Sequence, residues 1–346
     1  MRLIHWASKG VHRIPGFVFA IINSILIATI VISAGGGAIL SKIQIGDVSD
    51  AYQTLINLCP DIESISKSPW IGPVAIALTL ILLFLRLYKT PLLLIEHKSM
   101  AYDLADLDHS VKKEYWIKRL VLNQVDTLPN GYPSPESLKQ IRATALKAQK
   151  RKPFYSLGYY GIAHIPLIFR LGYIIGDQSS ISLFHLPRTH DSSFIELKQG
   201  NKPHLTVSAS EDNANMESSA LLVTLSISLR ITAEQINGFK NKMPPMHILN
   251  FETSEIGFDV IQDYNDAEVI RNTVLQEIRT RVQKYGISKI HLLLSVPSDF
   301  TFFLARAFSP QHEPDLCVYH YSKGKYIWGI DMSASDDEAT IILEEH

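Results

Sequence analysis

The sequence predicts an open α/β fold standing behind two membrane spans, and three observations predict it. Two apolar runs, residues 17–40 and 70–87, lie in the first hundred residues, and nothing later is apolar enough to join them. Each approaches the roughly 20 apolar residues that a helix needs to cross a bilayer. Beyond residue 152, short strand-like runs alternate with helix-like ones, the pattern of a parallel sheet with crossover helices. Within that region one strand, turn, helix, strand texture occurs twice.

Neither apolar run contains an acidic residue, so no proton relay or ion site is expected inside the membrane. Arg2, Lys9 and Arg13 precede the first run, with His5 and His12, and Arg86, Lys89 and Lys98 stand at and beyond the end of the second. The intervening loop sets Lys42 and Lys67 against Asp47, Asp50, Asp61 and Glu63. Basic flanks stay inside, so both termini are expected in the cytoplasm, in a multi-pass protein of a bacterial inner membrane. The first run resembles an uncleaved signal, but Ser33, Ala34 and three glycines end it and a second span follows, which favours an anchor. The chain then divides into a hairpin (1–91), a helical connector (92–152) and a sensing domain (153–346).

Composition narrows the function. Lysine and arginine number 33 against 34 acidic residues, and a formal charge of -1 argues against duplex nucleic acid as a partner. The two cysteines, Cys59 and Cys317, fall on opposite sides of the membrane in this topology, which excludes a disulfide scaffold or thiolate metal site.

In the connector, Leu104, Leu107, Val111, Tyr115, Leu122 and Val125 recur at spacings near three and four, predicting a helix over 100–128. Asp103, Asp106 and Asp108 precede His109 there, but their spacing does not gather them on one face, so a solvated helix start is expected and no metal site. Prolines and Gly131 break the chain, and a second helix is predicted over 135–151, with proline at its start and a basic end.

In the domain, strands are predicted at 156–163, 180–186, 221–229, 246–251, 289–296 and 315–321. Helices are predicted at 167–175, 232–240 with Thr232 as cap, 266–285 stopped by Gly286, and 300–308. The stretch 198–215 is polar and reads as loop, with a hairpin turn available at Gly200-Asn201. Ala163-His164-Ile165-Pro166 and Leu294-Ser295-Val296-Pro297 each lead from a strand into an apolar helix and on to a strand ending in an aromatic residue and histidine. This implies two α/β half-units related by pseudo-symmetry, with coincidence as the competing account. Their strand carboxyl ends and helix N-termini would share a face, where such folds bind ligands.

At these residues the sequence resembles a SAVED domain, the cyclic-oligonucleotide sensor of bacterial anti-phage signalling (CBASS). The stretches are Tyr159-Tyr160-Gly161-Ile162-Ala163-His164-Ile165-Pro166-Leu167 with Leu171-Gly172, then Lys289-Ile290-His291-Leu292-Leu293-Leu294-Ser295-Val296-Pro297 with Val318-Tyr319-His320-Tyr321. Ala305 stands where the family's second half usually has glycine. The resemblance implies two fused Rossmann-like units of the CARF type. It implies a cyclic di- or trinucleotide ligand made by a partner nucleotidyltransferase, and head-to-tail homo-oligomerisation on binding. No other cofactor is expected.

A cyclic anion needs amides at helix starts, cationic or hydroxyl side chains, and surfaces for base stacking. His164 before Pro166, and Pro297, Ser298 and Asp299 in the equivalent turn, are candidates, with a backbone-bonded histidine and helix capping as competing roles. Ser226, Ser228 and Arg230 end the strongest strand, and Arg188 and His190 follow another; an arginine there suits a phosphate, with a solvated loop as the alternative. Tyr160 is a candidate for stacking and Thr253 for reading a base edge, against core packing. His185, His190 and Asp191 lack a second cluster to complete a metal site. No phosphate-binding Gly-Lys-Ser/Thr loop, nucleophile elbow or zinc-protease helix occurs.

The resulting expectation is a non-enzymatic, ligand-gated membrane effector. Ligand-driven assembly would crowd the hairpins and disrupt the membrane, giving abortive infection. Gly35 to Gly37, Ser24 and Ala28 offer small surfaces for helix contact in lipid. A membrane-tethered phosphodiesterase and a non-lytic adaptor are the alternatives.

Overall fold

The computed structural model describes residues 89–343, apart from 152–153, 178–180, 189–192, 201, 213–217, 310 and 312, and the side chain of Asn130. The two expected spans, their loop and Cys59 lie outside the described residues, as do His190 and Asp191. Among the described residues no helix is long and apolar enough to cross a membrane.

Two mixed sheets carry the fold. The strands are β1 (Thr90–Lys98), β2 (Tyr115–Asn123), β3 (Ser156–Ile162), β4 (Ile181–His185), β5 (Ile195–Glu196), β6 (Val207–Asp212), β7 (Ala220–Ser226), β8 (His247–Thr253), β9 (Lys289–Ser295), β10 (Asp315–Ser322), β11 (Lys325–Asp331) and β12 (Thr340–Ile342). The helices are α1 (His109–Glu114), α2 (Pro135–Arg151), α3 (Ile165–Ile175), α4 (Ala233–Lys240), α5 (Tyr264–Tyr285) and α6 (Ser298–Ala305). The first sheet has the order β2-β1-β3-β4-β5, the second β12-β11-β10-β9-β7-β8-β6.

Counted within each half, β2-β1-β3-β4 and β8-β7-β9-β10 are the same order, 2-1-3-4. Each half also runs strand, helix, strand, helix, strand, helix, strand. The paired strands β1–β3, β3–β4, β7–β8, β7–β9 and β9–β10 are parallel. The repeat read from two short segments is therefore one part of a repeat of four strands and three helices. This corrects the helical connector. Leu92–Ile95 is the uninterrupted apolar centre of β1, buried on both faces, and such a strand has no alternation to mark it. Leu107, Val111 and Tyr115 do share a surface, but it is a core cluster with Leu92, Leu94, Tyr160, Phe184 and Phe194, reached from a loop, α1 and β2.

Strand alternation separates the layers. Leu93, Ile95 and Tyr159 face inward to a core shared with α2, α3, α5 and α6, as do Leu221 and Val223 of the second sheet. Leu92, Leu94 and Tyr160 face outward under α1, and Leu222, Leu293 and Tyr319 face outward with Phe239 of α4. Equivalent helices α3 and α6 meet in the middle layer. A Cβ on Gly172 would lie 2.7 Å from the Phe302 carbonyl oxygen and 2.8 Å from Ala305 Cβ, so glycine on α3 and a small residue on α6 set this approach. Ala305 thus fills its glycine-like position while Gly172 makes room for it. Beside this contact Tyr159 stacks on Phe302 with ring centres 4.2 Å apart.

Local signals placed the remaining elements well. Thr232 and Gln235 form a reciprocal capping box on α4, and Gly286 ends α5 at a left-handed φ of 61°. Helix α6 starts two residues before its expected position, with Pro297 as N-cap. The polar stretch read as loop contains β6, an edge strand antiparallel to β8 whose outward residues face water. No hairpin forms at Gly200: residues 198–200 and 202–206 carry no strand. Strand β11 extends the second sheet antiparallel to β10, and β12 pairs antiparallel to β11.

Candidate functional site

The carboxyl ends of β3, β4, β7 and β9 open on one cleft of about 780 Å³. In each half the strand order reverses between the first and third strands, and the cleft lies at both reversals, where open α/β sheets bind ligands. Gly161 and Ile162 end β3, Leu294 and Ser295 end β9, and the first turns of α3 and α6 contribute Ile165, Ser298 and Asp299. Neither helix start is capped by a side chain; in α3 Pro166 has no N–H and the Leu167 amide donates to the His164 carbonyl, which leaves the Ile165 amide, while α6 keeps its first-turn amides.

Ser295 shapes the wall after β7. Its carbonyl accepts from the Ile227 and Ser228 amides at 2.9 and 2.8 Å, and its Oγ from the Leu229 amide at 3.1 Å. The turn therefore projects Ser228, Leu229 and Arg230 over the cleft. Arg230 is exposed and pairs with Glu252 at 3.2 Å. Opposite, the Arg188 guanidinium rests 4.6 Å from the Phe258 ring centre, and its backbone amide is held by both oxygens of Asp259.

Between these walls stands His185, the last residue of β4. Its Nδ1 faces Asp299 Oδ1 at 3.4 Å and its Nε2 faces Asp259 Oδ1 at 3.2 Å. Burial pulls its pKa down, but hydrogen bonds and charge from Asp299 and Asp259 outweigh this and raise it to about 9. His185 is thus an imidazolium at neutral pH and ties the first half to two segments of the second. Asp299 is 3% exposed, and its Oδ2 has no hydrogen-bond partner among the described residues. A buried carboxylate oxygen on a cleft wall can accept from an amine or hydroxyl of a ligand. Exposed Tyr102, Phe258 and Tyr321 supply ring surfaces along the same cleft.

Of the candidates from sequence, Arg188, Ser228, Arg230, Pro297, Ser298 and Asp299 line this cleft. Tyr160, His164, Pro166, Ser226 and Thr253 lie off it. Tyr160 donates to Glu96 at 2.6 Å and packs edge-on against Phe194 in the outer core. His164 contacts Ser99 Oγ through Nδ1 at 2.7 Å and lies against His320 and Trp328, and burial lowers its pKa to about 4. Pro166 is buried in the first turn of α3. Ser226 Oγ accepts the Ile231 amide, and Thr253 Oγ1 donates to the Ser226 and Glu255 carbonyls. These are packing and turn-forming roles. His185, Ser295 and Phe258, which line the cleft, and Asp259, which holds His185 and the Arg188 amide, are not among the candidates from sequence. His185 had a signal, its place at a strand's carboxyl end.

Among the described residues no cluster of histidine, cysteine and carboxylate suits a metal ion. In the acidic stretch near His109, Asp106 pairs with Lys112 and Arg119, and Asp108 caps α1. Cys317 is buried, with its thiol pushed up to about 12 by burial and by Asp331.

The fold and cleft together define a twin-unit α/β protein with a cleft at the joined strand ends. Residues 136–332, more than half of the chain, match the family described as the SMODS-associated and fused to various effectors sensor domain, SAVED, and the chain belongs to that family. Among solved structures it is similar to a Cap4 SAVED/CARF-domain containing receptor of Acinetobacter baumannii with the cyclic trinucleotide 2'3'3'-cAAA, at 15% identity and a TM-score of 0.49. That match covers 83% of this chain and 62% of the receptor. The corresponding receptor of Moraxella osloensis matches at 14% identity and a TM-score of 0.41, covering 85% of this chain and 62% of that one. The chain thus spans less than two thirds of these receptors' length. No curated protein matches it.

Proposed function

We propose that the chain is a membrane-anchored receptor that binds a cyclic di- or trinucleotide in the cleft and acts through its apolar N-terminal hairpin. The cleft at both strand-order reversals carries this reading. It gathers two arginines, an imidazolium, two uncapped helix starts and three exposed rings, the groups that phosphates and bases need. Asp299 Oδ2 supplies an acceptor for a base amine or ribose hydroxyl. Family membership supports the sensing role, and the fused-effector architecture in the family's description fits an N-terminal output segment.

In this scheme the messenger comes from a partner nucleotidyltransferase, and binding drives homo-oligomerisation that crowds the hairpins in the inner membrane. Crowding raises their local concentration, breaches the membrane and aborts infection. The test is binding of a panel of cyclic di- and trinucleotides by the full-length protein in detergent. One member binds, and Arg188→Ala or Arg230→Ala weakens it about 10- to 150-fold, the loss of a charge-assisted bond of about 1.5–3 kcal/mol. No binding by any member, or full affinity in both folded variants, refutes the assignment.

A further inference from the structure

The end of the first sheet opposite the cleft carries a second surface. Strand β1 starts at Thr90, three residues beyond the apolar run 70–87. Its register with β3 pairs Leu92 with Ser156, so both strands start at this end. The Gln124 amide donates to the Lys98 carbonyl at 2.7 Å, so β2 ends beside the end of β1 and starts beside its start. Trp116, the second residue of β2, and Phe154, two residues before β3, therefore stand at the same rim. They are 61% and 67% exposed.

Basic groups surround them. Lys118 lies 5.9 Å from the Tyr155 ring centre, and α2 ends at this rim with Lys150 and Arg151, joined to Phe154 by a turn bond of 3.0 Å. Lys150 and Arg151 make no ion pair among the described residues. The carboxylates nearby are already engaged: Glu114 with Lys198 at 2.7 Å, Glu196 with Tyr115 at 2.7 Å, and Asp177 with Arg271 at 3.6 Å. The amphipathic indole of Trp116 and the apolar ring of Phe154, exposed beside unneutralised cations, suit the headgroup and acyl boundary of an anionic bilayer.

We infer that this rim, Trp116 and Phe154 with Lys118, Lys150 and Arg151, docks on the anionic lipid surface next to the hairpin. The inference rests on the reading that residues 17–40 and 70–87 span the bilayer. Docking fixes the sheet upright, so the cleft opens away from the membrane by about the length of a strand, 9 residues in β1 or roughly 30 Å.

The test uses the full-length protein, with Cys59→Ser and Cys317→Ala, in vesicles of phosphatidylcholine and phosphatidylglycerol with brominated acyl chains. An environment-sensitive fluorophore is attached at Trp116→Cys, at Phe154→Cys or, as control, at Tyr102→Cys on the cleft. Quenching by half or more is expected at 116 and 154, with none at 102, and K118E/K150E/R151E abolishes it at 154. Protein that resists carbonate extraction but shows no quenching at either rim site overturns the docking alone. Shielding that follows the protein-to-lipid ratio and ignores bromine also overturns it, since a second copy then covers the rim. Extraction by carbonate overturns the spanning reading instead, and quenching measured before extraction still decides whether the rim meets lipid.

Discussion

Replacing His185 by glutamine tests the charge bridge at the cleft. The His185 side chain is 7% exposed, between Asp259 and the 3% exposed Asp299. Its pKa rises from 6.5 to about 9, and each unit is worth about 1.4 kcal/mol, so protonation contributes on the order of 3 kcal/mol to folding. Because the folded value lies above the ordinary one, this stabilisation is complete below about pH 6.5 and is lost as pH rises through about 9. Near pH 6, His185→Gln is therefore expected to melt about 6–12 °C below the unsubstituted protein, at about 2–4 °C per kcal/mol for a domain of this size. The deficit shrinks steadily on going to about pH 10. Thermal unfolding of both full-length proteins in the same detergent, followed by intrinsic fluorescence across that range, measures it. A deficit equal at both ends refutes a charged His185 and leaves only a packing role.

Acid acts with the opposite sign on other histidines: burial lowers the pKa of His97 and His291 to about 4, so their contribution, present above about pH 6.5, is lost as pH falls towards 4, and unfolding should become easier there. Arg170→Met removes a buried guanidinium that bonds Asp336 at 2.7 Å and the Asp331 and Ala334 carbonyls; Asp336 keeps Arg142 at 2.6 Å, so the cost is that of the lost charge-assisted and carbonyl bonds, about 1.5–3 kcal/mol, read by denaturant midpoint, and a loss under about 1 kcal/mol contradicts the bridge. Gly172→Ala forces α3 from α6 and should cost about 1–3 kcal/mol in the same assay, with no change counting against the close approach. Topology needs an introduced thiol, because buried Cys317 cannot report which side it occupies: in intact cells an impermeant label should modify Cys59 and spare an exposed Ser210→Cys, and the reverse inverts the orientation.

The cleft itself was half legible. Strand ends and helix starts can be found from local pattern, and these give Arg188, Ser228, Arg230 and the Pro297 turn. Which way a side chain leaves a strand depends on its pleat and neighbours, so Tyr160 and Thr253 turned into packed surroundings although they sit near the same ends. His185 takes its charge from residues 74 and 114 positions away, a coincidence no window of sequence contains.

By itself the sequence determined the alternation of strands and helices from 156 to 321, their caps and stops, and the partial repeat, because each is written in a few neighbouring residues. Only the tertiary structure decided that the repeat begins at Thr90. There β1 is an apolar run continuous in character with the apolar run 70–87 before it, and β2 gains its identity from pairing with β1. It also decided that β6, β11 and β12 join the second sheet, and that α3 and α6 meet at Gly172 and Ala305. Pairing, facing and charge compensation are relations between distant segments, and they exist only once the chain has folded.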